Sequence, residues 1–97
     1  MKGDGKIIEA LNTTTRQEFS WNGGEGVFLA KSDDWTDGFG NARNIKLQQL
    51  IGDTYVDIAE ASQTESGGFK FVTTAPKLGI VLSDTNTTTV YVSVQGL

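Results

Sequence analysis

The sequence predicts an all-β fold, a single antiparallel β-sandwich of seven or eight strands with either jelly-roll or immunoglobulin-like topology. Three observations carry this. Apolar residues alternate with polar ones at a period close to two along most of the chain. Turn-forming clusters of Gly, Asn, Asp and Ser interrupt the alternation at spacings of about 8–12 residues, as in sandwiches and barrels. No segment sustains a helical period.

Residues 1–6, MKGDGK, contain no core-forming side chain and are read as an N-terminal arm ahead of a domain spanning 7–97. In GKIIEALNTT, Ile7, Ile8 and Leu11 suit one helical turn as well as a strand. The β-branched pair and the threonines favour an edge strand. In QEFSW, Phe19 and Trp21 share a face opposite Glu18 and Ser20. NGG then supplies turn residues, and EGVFLA returns with Val27 and Leu29 opposite Phe28 and Ala30, so the two segments read as a hairpin.

Residues 31–42, KSDDWTDGFGNA, break the alternation and form an irregular loop that nonetheless holds Trp35 and Phe39. NIKLQQLIGDTYVDI is the clearest hairpin. Ile45, Leu47 and Ile51 share a face with Gln49, GD turns the chain, and Val56 and Ile58 return inward while Tyr55 and Asp57 point out. ASQTESGG reads as a polar connection. FKFVTT alternates Phe69 and Phe71 with Lys70, and Pro76 marks the break. KLGIVLSD places Leu78, Ile80 and Leu82 on one face with Gly79 and Val81 on the other. After TNTT, TVYVSVQGL sets Val90, Val92 and Val94 against Tyr91 and Ser93.

Composition narrows the function classes. A chain of 97 residues has room for one domain with a modest core. Five Phe, two Tyr and two Trp set it apart from a disordered tail. The formal charge is −4 and the eight basic residues are scattered singly, which argues against a nucleic-acid partner. No apolar run exceeds five residues, where about 20 are needed for a membrane-spanning helix. The opening MKGDGKIIEALN carries a charge at residue 4 and only a brief apolar segment, so no secretory signal is expected.

Residues for catalysis are sparse. The chain has no His and no Cys, which removes the commonest general base, thiolate metal sites and the usual nucleophile pairs. Paired carboxylates suffice for glycoside hydrolysis, but the strand acids Glu18 and Asp57 alternate with core residues and so point to solvent. SDDWTDG gathers Asp33, Asp34 and Asp37, oxygen donors of the kind calcium uses, without the spacing of a calcium loop, and reads as a solvated acidic turn. GGEG and GFG lack the strand-to-helix setting of a phosphate cradle. NTT at Asn12 and Asn86 matches the glycan acceptor pattern but reads as threonine-rich turns. No enzymatic activity, metal or cofactor is expected.

Trp35 and Phe39 are the candidate interaction residues. Either they fold back to cap one end of the sandwich, or they stand exposed to engage a partner. On a carbohydrate-binding sandwich Trp21, Trp35 or Tyr55 would be the sugar-stacking platforms.

FSWNGGEGVFLA, ARNIKLQQLIGDTYVDI and the late KLGIVLSD and TTVYVSVQGL together resemble a group of small structural proteins of tailed bacteriophages. There a W-x-G-G-x-G-x-F segment precedes a V-K-L-Q strand, a Gly/Asp turn, a TWVDV-like strand and a Tyr- and Val-rich final strand. The similarity runs from Gln17 to Leu97. Departures lie in DGFGNARN, where the group has a Gly-rich approach, and at Lys77 and Gly79, where it often carries Arg. The resemblance implies a virion component made in the bacterial host cytoplasm, a head decoration or cement protein bound to the major capsid protein or other virion proteins, and self-association. It assigns no catalytic or ligand role to any residue. The alternative is a carbohydrate- or receptor-binding module of a tail fibre.

Overall fold

The computed structural model describes residues 5–97, and among them there is no helix. Eight strands follow in order: β1 (Gly5–Leu11), β2 (Gln17–Ser20), β3 (Gly24–Lys31), β4 (Ile45–Ile51), β5 (Thr54–Gln63), β6 (Gly67–Thr73), β7 (Lys77–Leu82) and β8 (Val90–Gly96). They form two packed four-stranded antiparallel sheets, β1-β8-β3-β6 and β2-β7-β4-β5. The fold is the all-β sandwich that the alternation predicts. Strand pairs 1–8, 2–7, 3–6 and 4–5 are all hydrogen-bonded. That order is a long hairpin, closed at β4–β5 and rolled up, which makes the sandwich a jelly roll rather than immunoglobulin-like.

Period-two alternation works because one face of each sheet is buried against the other. Phe28, Ile45, Leu47, Leu78, Ile80, Leu82, Val90, Val92 and Val94 are all 0% exposed. They sit in register across the strands, Phe28 opposite Val94 and Ile45 opposite Leu82. β1 is an edge strand, as its sequence suggests. It begins at Gly5, two residues inside the segment read as an arm, and residues 1–4 of that segment lie outside the described residues.

Several expectations are corrected. QEFSW and EGVFLA do not pair. β2 bonds to β7, whereas β3 bonds to β6 and β8 in the other sheet. Turn residues reverse the chain without determining which sheet it enters, and this turn crosses the sandwich. The β4–β5 connection is the one that pairs consecutive strands. There Gly52, at φ 66°, precedes Asp53 at negative φ, the arrangement of a tight II′-type turn. Near that tip Ile51 and Val56, expected inside, are 56% and 42% exposed. Alternation sets the face on which a side chain lies, but the opposite sheet does not extend far enough to cover these two.

ASQTESGG is not all connection. β5 runs on to Gln63, with a bulge opposite Lys46 and Gln48. Ala61 and Gln63 are buried, and the Gln63 amide donates to the carbonyls of Ala30, Glu65 and Gly67, closing the corner into β6.

Trp21 follows β2 and lies in the core, its ring 5.3 Å from that of Phe71. Space is made for both by Gly26, where a Cβ would lie 2.5 Å from Phe71 Cζ and 2.7 Å from Trp21 Cη2. Gly26→Ala is therefore expected to cost about 1–3 kcal/mol through overpacking, measured by urea unfolding. Gly79→Ala meets the flexible Arg16 side chain on the outer face and is expected to cost less.

Candidate functional site

The loop between β3 and β4 carries the chain from one sheet to the other and projects from one end of the sandwich. Its outer half is a small closed turn. Thr36 and Ala42 form an isolated bridge, and Asp37 N–H donates to the Asn41 carbonyl at 2.8 Å. The Asp37 carboxylate then closes the turn from within. Its Oδ1 accepts the amides of Phe39 at 2.7 Å and Asn41 at 3.2 Å, and its Oδ2 accepts the Asn41 side-chain amide at 2.9 Å. Gly38 and Gly40, at φ 93° and 90°, adopt the left-handed backbone that the turn requires. At its tip Phe39 is 90% exposed.

Hydrogen bonds from the Asn41 side chain and the Phe39 amide hold the Asp37 carboxyl below the usual carboxylate range. A depressed carboxylate favours the closed turn above its unfolded pKa, and this contribution is lost as pH falls through the folded pKa. The Phe39 and Asn41 amides are thus expected to remain hydrogen-bonded in NMR spectra until the pH drops below the ordinary Asp range.

The inner half of the loop is anchored by Arg43, which is 0% exposed. Its Nε donates to the Asp34 carbonyl at 3.1 Å, and Nη2 reaches the same carbonyl, Ser32 Oγ at 2.9 Å and the Thr88 carbonyl at 2.8 Å. Burial pulls its pKa down while the nearby Asp34 charge opposes the shift. Asn86 adds a second tie. Its side-chain amide donates to the Thr36 carbonyl, and its own carbonyl accepts from Asn12 Nδ2 at 2.7 Å. The loop is held to the 84–89 turn from both sides.

The two candidate aromatics part company here. Trp35 packs against the core, its ring 5.9 Å from the Arg43 guanidinium carbon, and its Nε1 donates to Ser66 Oγ at 3.1 Å. Trp35 caps the sandwich end, and Phe39 stands clear of it. Sequence reasoning missed Arg43 and Asn86. Arg43 had a signal: it continues backward the inward alternation of Ile45 and Leu47.

The other sequence-named residues are not available as sugar platforms. Trp21 is 3% exposed. Tyr55 lies on the outer face of the second sheet with the Arg16 guanidinium 4.2 Å above its ring and its hydroxyl donating to Glu18 Oε1 at 2.6 Å. Burial, followed by the Glu18 acceptor, pushes the Tyr55 pKa up to about 12. The fold thus favours the protonated phenol. This contribution is fully present below about pH 10 and is lost as pH rises through the folded value. The phenolate absorbance of the protein minus that of Tyr55→Phe is expected to rise near pH 12.

On the same face Asp57 accepts from Gln48 Nε2 at 2.8 Å and pairs with Lys46 at 3.1 Å. Glu18 and Asp57 are both exposed, each tied to its own partners. Of the loop acids, Asp34 Oδ1 accepts from the Thr36 amide and hydroxyl, and Asp37 closes the turn. Among the described residues no three His, Cys, Asp or Glu side chains converge as a metal site would require. An open groove of about 370 Å³ follows the β5–β6 corner along Ser62–Phe69, with Glu65 its single carboxylate.

No family model, curated protein or solved structure matches the chain.

Proposed function

We propose that this chain is a non-enzymatic structural protein of a tailed-phage particle, binding the capsid surface as a decoration or cement protein through Phe39. The observation that carries the reading is a Phe 90% exposed at the tip of a turn closed by Asp37 and braced by buried Arg43. An exposed aromatic on a mobile loop would lose binding energy to ordering. On a pre-closed turn most of that entropy has already been lost in folding. Aromatics that enter a partner's pocket dominate interface energetics.

The sequence resemblance over Gln17–Leu97 supports the phage assignment, and by analogy so does the jelly roll, an architecture common in viral capsid and lectin domains. Many copies, each making a modest contact on a repeating shell, bind strongly in sum.

The test is co-sedimentation with purified phage particles of the source. The chain is expected to pellet with intact particles and to be found in purified virions. Its absence from both, together with retention on a glycan array, would move the assignment to a tail-fibre sugar-binding module.

A further inference from the structure

The outer face of the β1-β8-β3-β6 sheet carries apolar side chains that no part of the described chain covers. Strand register aligns Ile7, Ser93, Leu29 and Gly68 in one row across the sheet. Ile7 is 52% and Leu29 45% exposed, flanking the small Ser93. Val27 lies in the next row, between Gln95 and Lys70. Along β3 the outward residues run Glu25, Val27, Leu29, Lys31: an acid, two apolar residues and a base. Glu25 and Lys31 are exposed, and the ion pair found among the described residues, Lys46 with Asp57, lies on the other sheet.

We propose that this face is an isologous dimer interface covered by a second copy of the same chain. A two-fold axis lying between the facing sheets, perpendicular to β3 at the level of Phe28, runs the two β3 strands antiparallel. Val27 then faces Leu29 of the second copy, and Glu25 faces its Lys31, each contact occurring twice by symmetry. The order of charges selects this arrangement. A parallel alignment would set Glu25 on Glu25 and Lys31 on Lys31, two like-charge contacts in place of two opposite ones.

Facing sheets pack about 10 Å apart, a gap that a Glu and a Lys reaching from opposite sides can span. The roughly 30° rotation between packed sheets moves the charged ends, about 10 Å from the axis, by only about one strand spacing. This sheet face is separate from the Phe39 tip, which projects from the end of the sandwich.

Charge reversal tests it. Sedimentation equilibrium of the whole chain is expected to show a dimer. Glu25→Lys and Lys31→Glu are each expected to weaken dimerisation at least tenfold, since each sets like charges at both symmetric contacts. An equimolar mixture of the two variants restores opposite charges at both contacts and is expected to form a mixed dimer. Circular dichroism and melting of each variant, expected to match the unaltered chain, separate lost association from lost folding. A monomer at every soluble concentration would overturn the proposal. So would variants that dimerise as tightly as the unaltered chain, the result expected of pairing through strand edges, or a mixture that stays monomeric.

Discussion

Arg43→Met is expected to lower the stability of this protein by about 2–4 kcal/mol. The buried guanidinium is the donor that serves the carbonyls of Asp34 and Thr88 and the hydroxyl of Ser32 together. Methionine fills much of the volume and removes the cost of burying a charge. It leaves the part-buried Thr88 carbonyl without that donor and the Asp34 carbonyl with only the Ser32 hydroxyl, at about 1–3 kcal/mol for each acceptor that water cannot reach.

In a domain of this size a loss of that order shifts the melting temperature by about 10–20 °C. Arg43→Lys keeps the charge, but a single ammonium cannot spread across the carbonyls that the guanidinium fork spans, and is expected to recover less than half of the loss. Urea and thermal melts of the two variants supply the comparison. A change below about 0.5 kcal/mol for Arg43→Met, the scale of ordinary surface substitutions, would remove Arg43 as the anchor of the loop.

Phe39→Ala is expected to do the opposite, leaving stability within about 0.5 kcal/mol while weakening particle binding by about 30-fold or more. A side chain 90% exposed buries almost nothing in the folded chain, so its removal opens no cavity. At an interface centre the loss of such an anchor costs about 2 kcal/mol or more, which corresponds to the stated fold-change. Asp37→Ala provides the complementary case: Phe39 is retained but its turn is released. Binding is expected to weaken less than with Phe39→Ala, by the ordering cost alone. Quantitative pelleting at several protein concentrations distinguishes the three chains. Equal binding by all three would exclude the tip as the contact.

How much was legible in the sequence follows from what alternation encodes. Leu78, Ile80 and Leu82, or Val90, Val92 and Val94, announce a strand and its buried face, and the structure buries all six. Alternation does not encode the neighbour. Nothing local in QEFSW reveals that it pairs with KLGIV about sixty residues later rather than with EGVFLA across the NGG turn. The jelly roll joins strands far apart in sequence everywhere except β4–β5, where the Gly-Asp turn could be read directly.

At the candidate site, composition located two aromatics in an irregular loop but did not separate them. Their separation depends on Ser66, which takes the Trp35 indole N–H from 31 residues away, and on Arg43 beneath it. A charged residue reads as surface, because Arg is seldom fully buried, and so the inward parity of Arg43, Ile45 and Leu47 was overlooked. Asn86 was hidden in the same way, inside a threonine-rich stretch that resembles any polar turn. The closed Asp37–Asn41 turn rests on short-range chemistry, an Asp two residues before the Phe39 amide it caps, and that pattern was present to be read.

In the function proposed above, this sandwich holds one aromatic side chain, pre-positioned, against another protein. An electron-microscopy reconstruction of the phage particle with the chain bound tests it most directly. Phe39 is expected to lie enclosed by shell protein, with the Asp37–Asn41 turn closed as it is in the free chain. A map in which the chain sits on the particle through another surface, with Phe39 facing solvent, would contradict it.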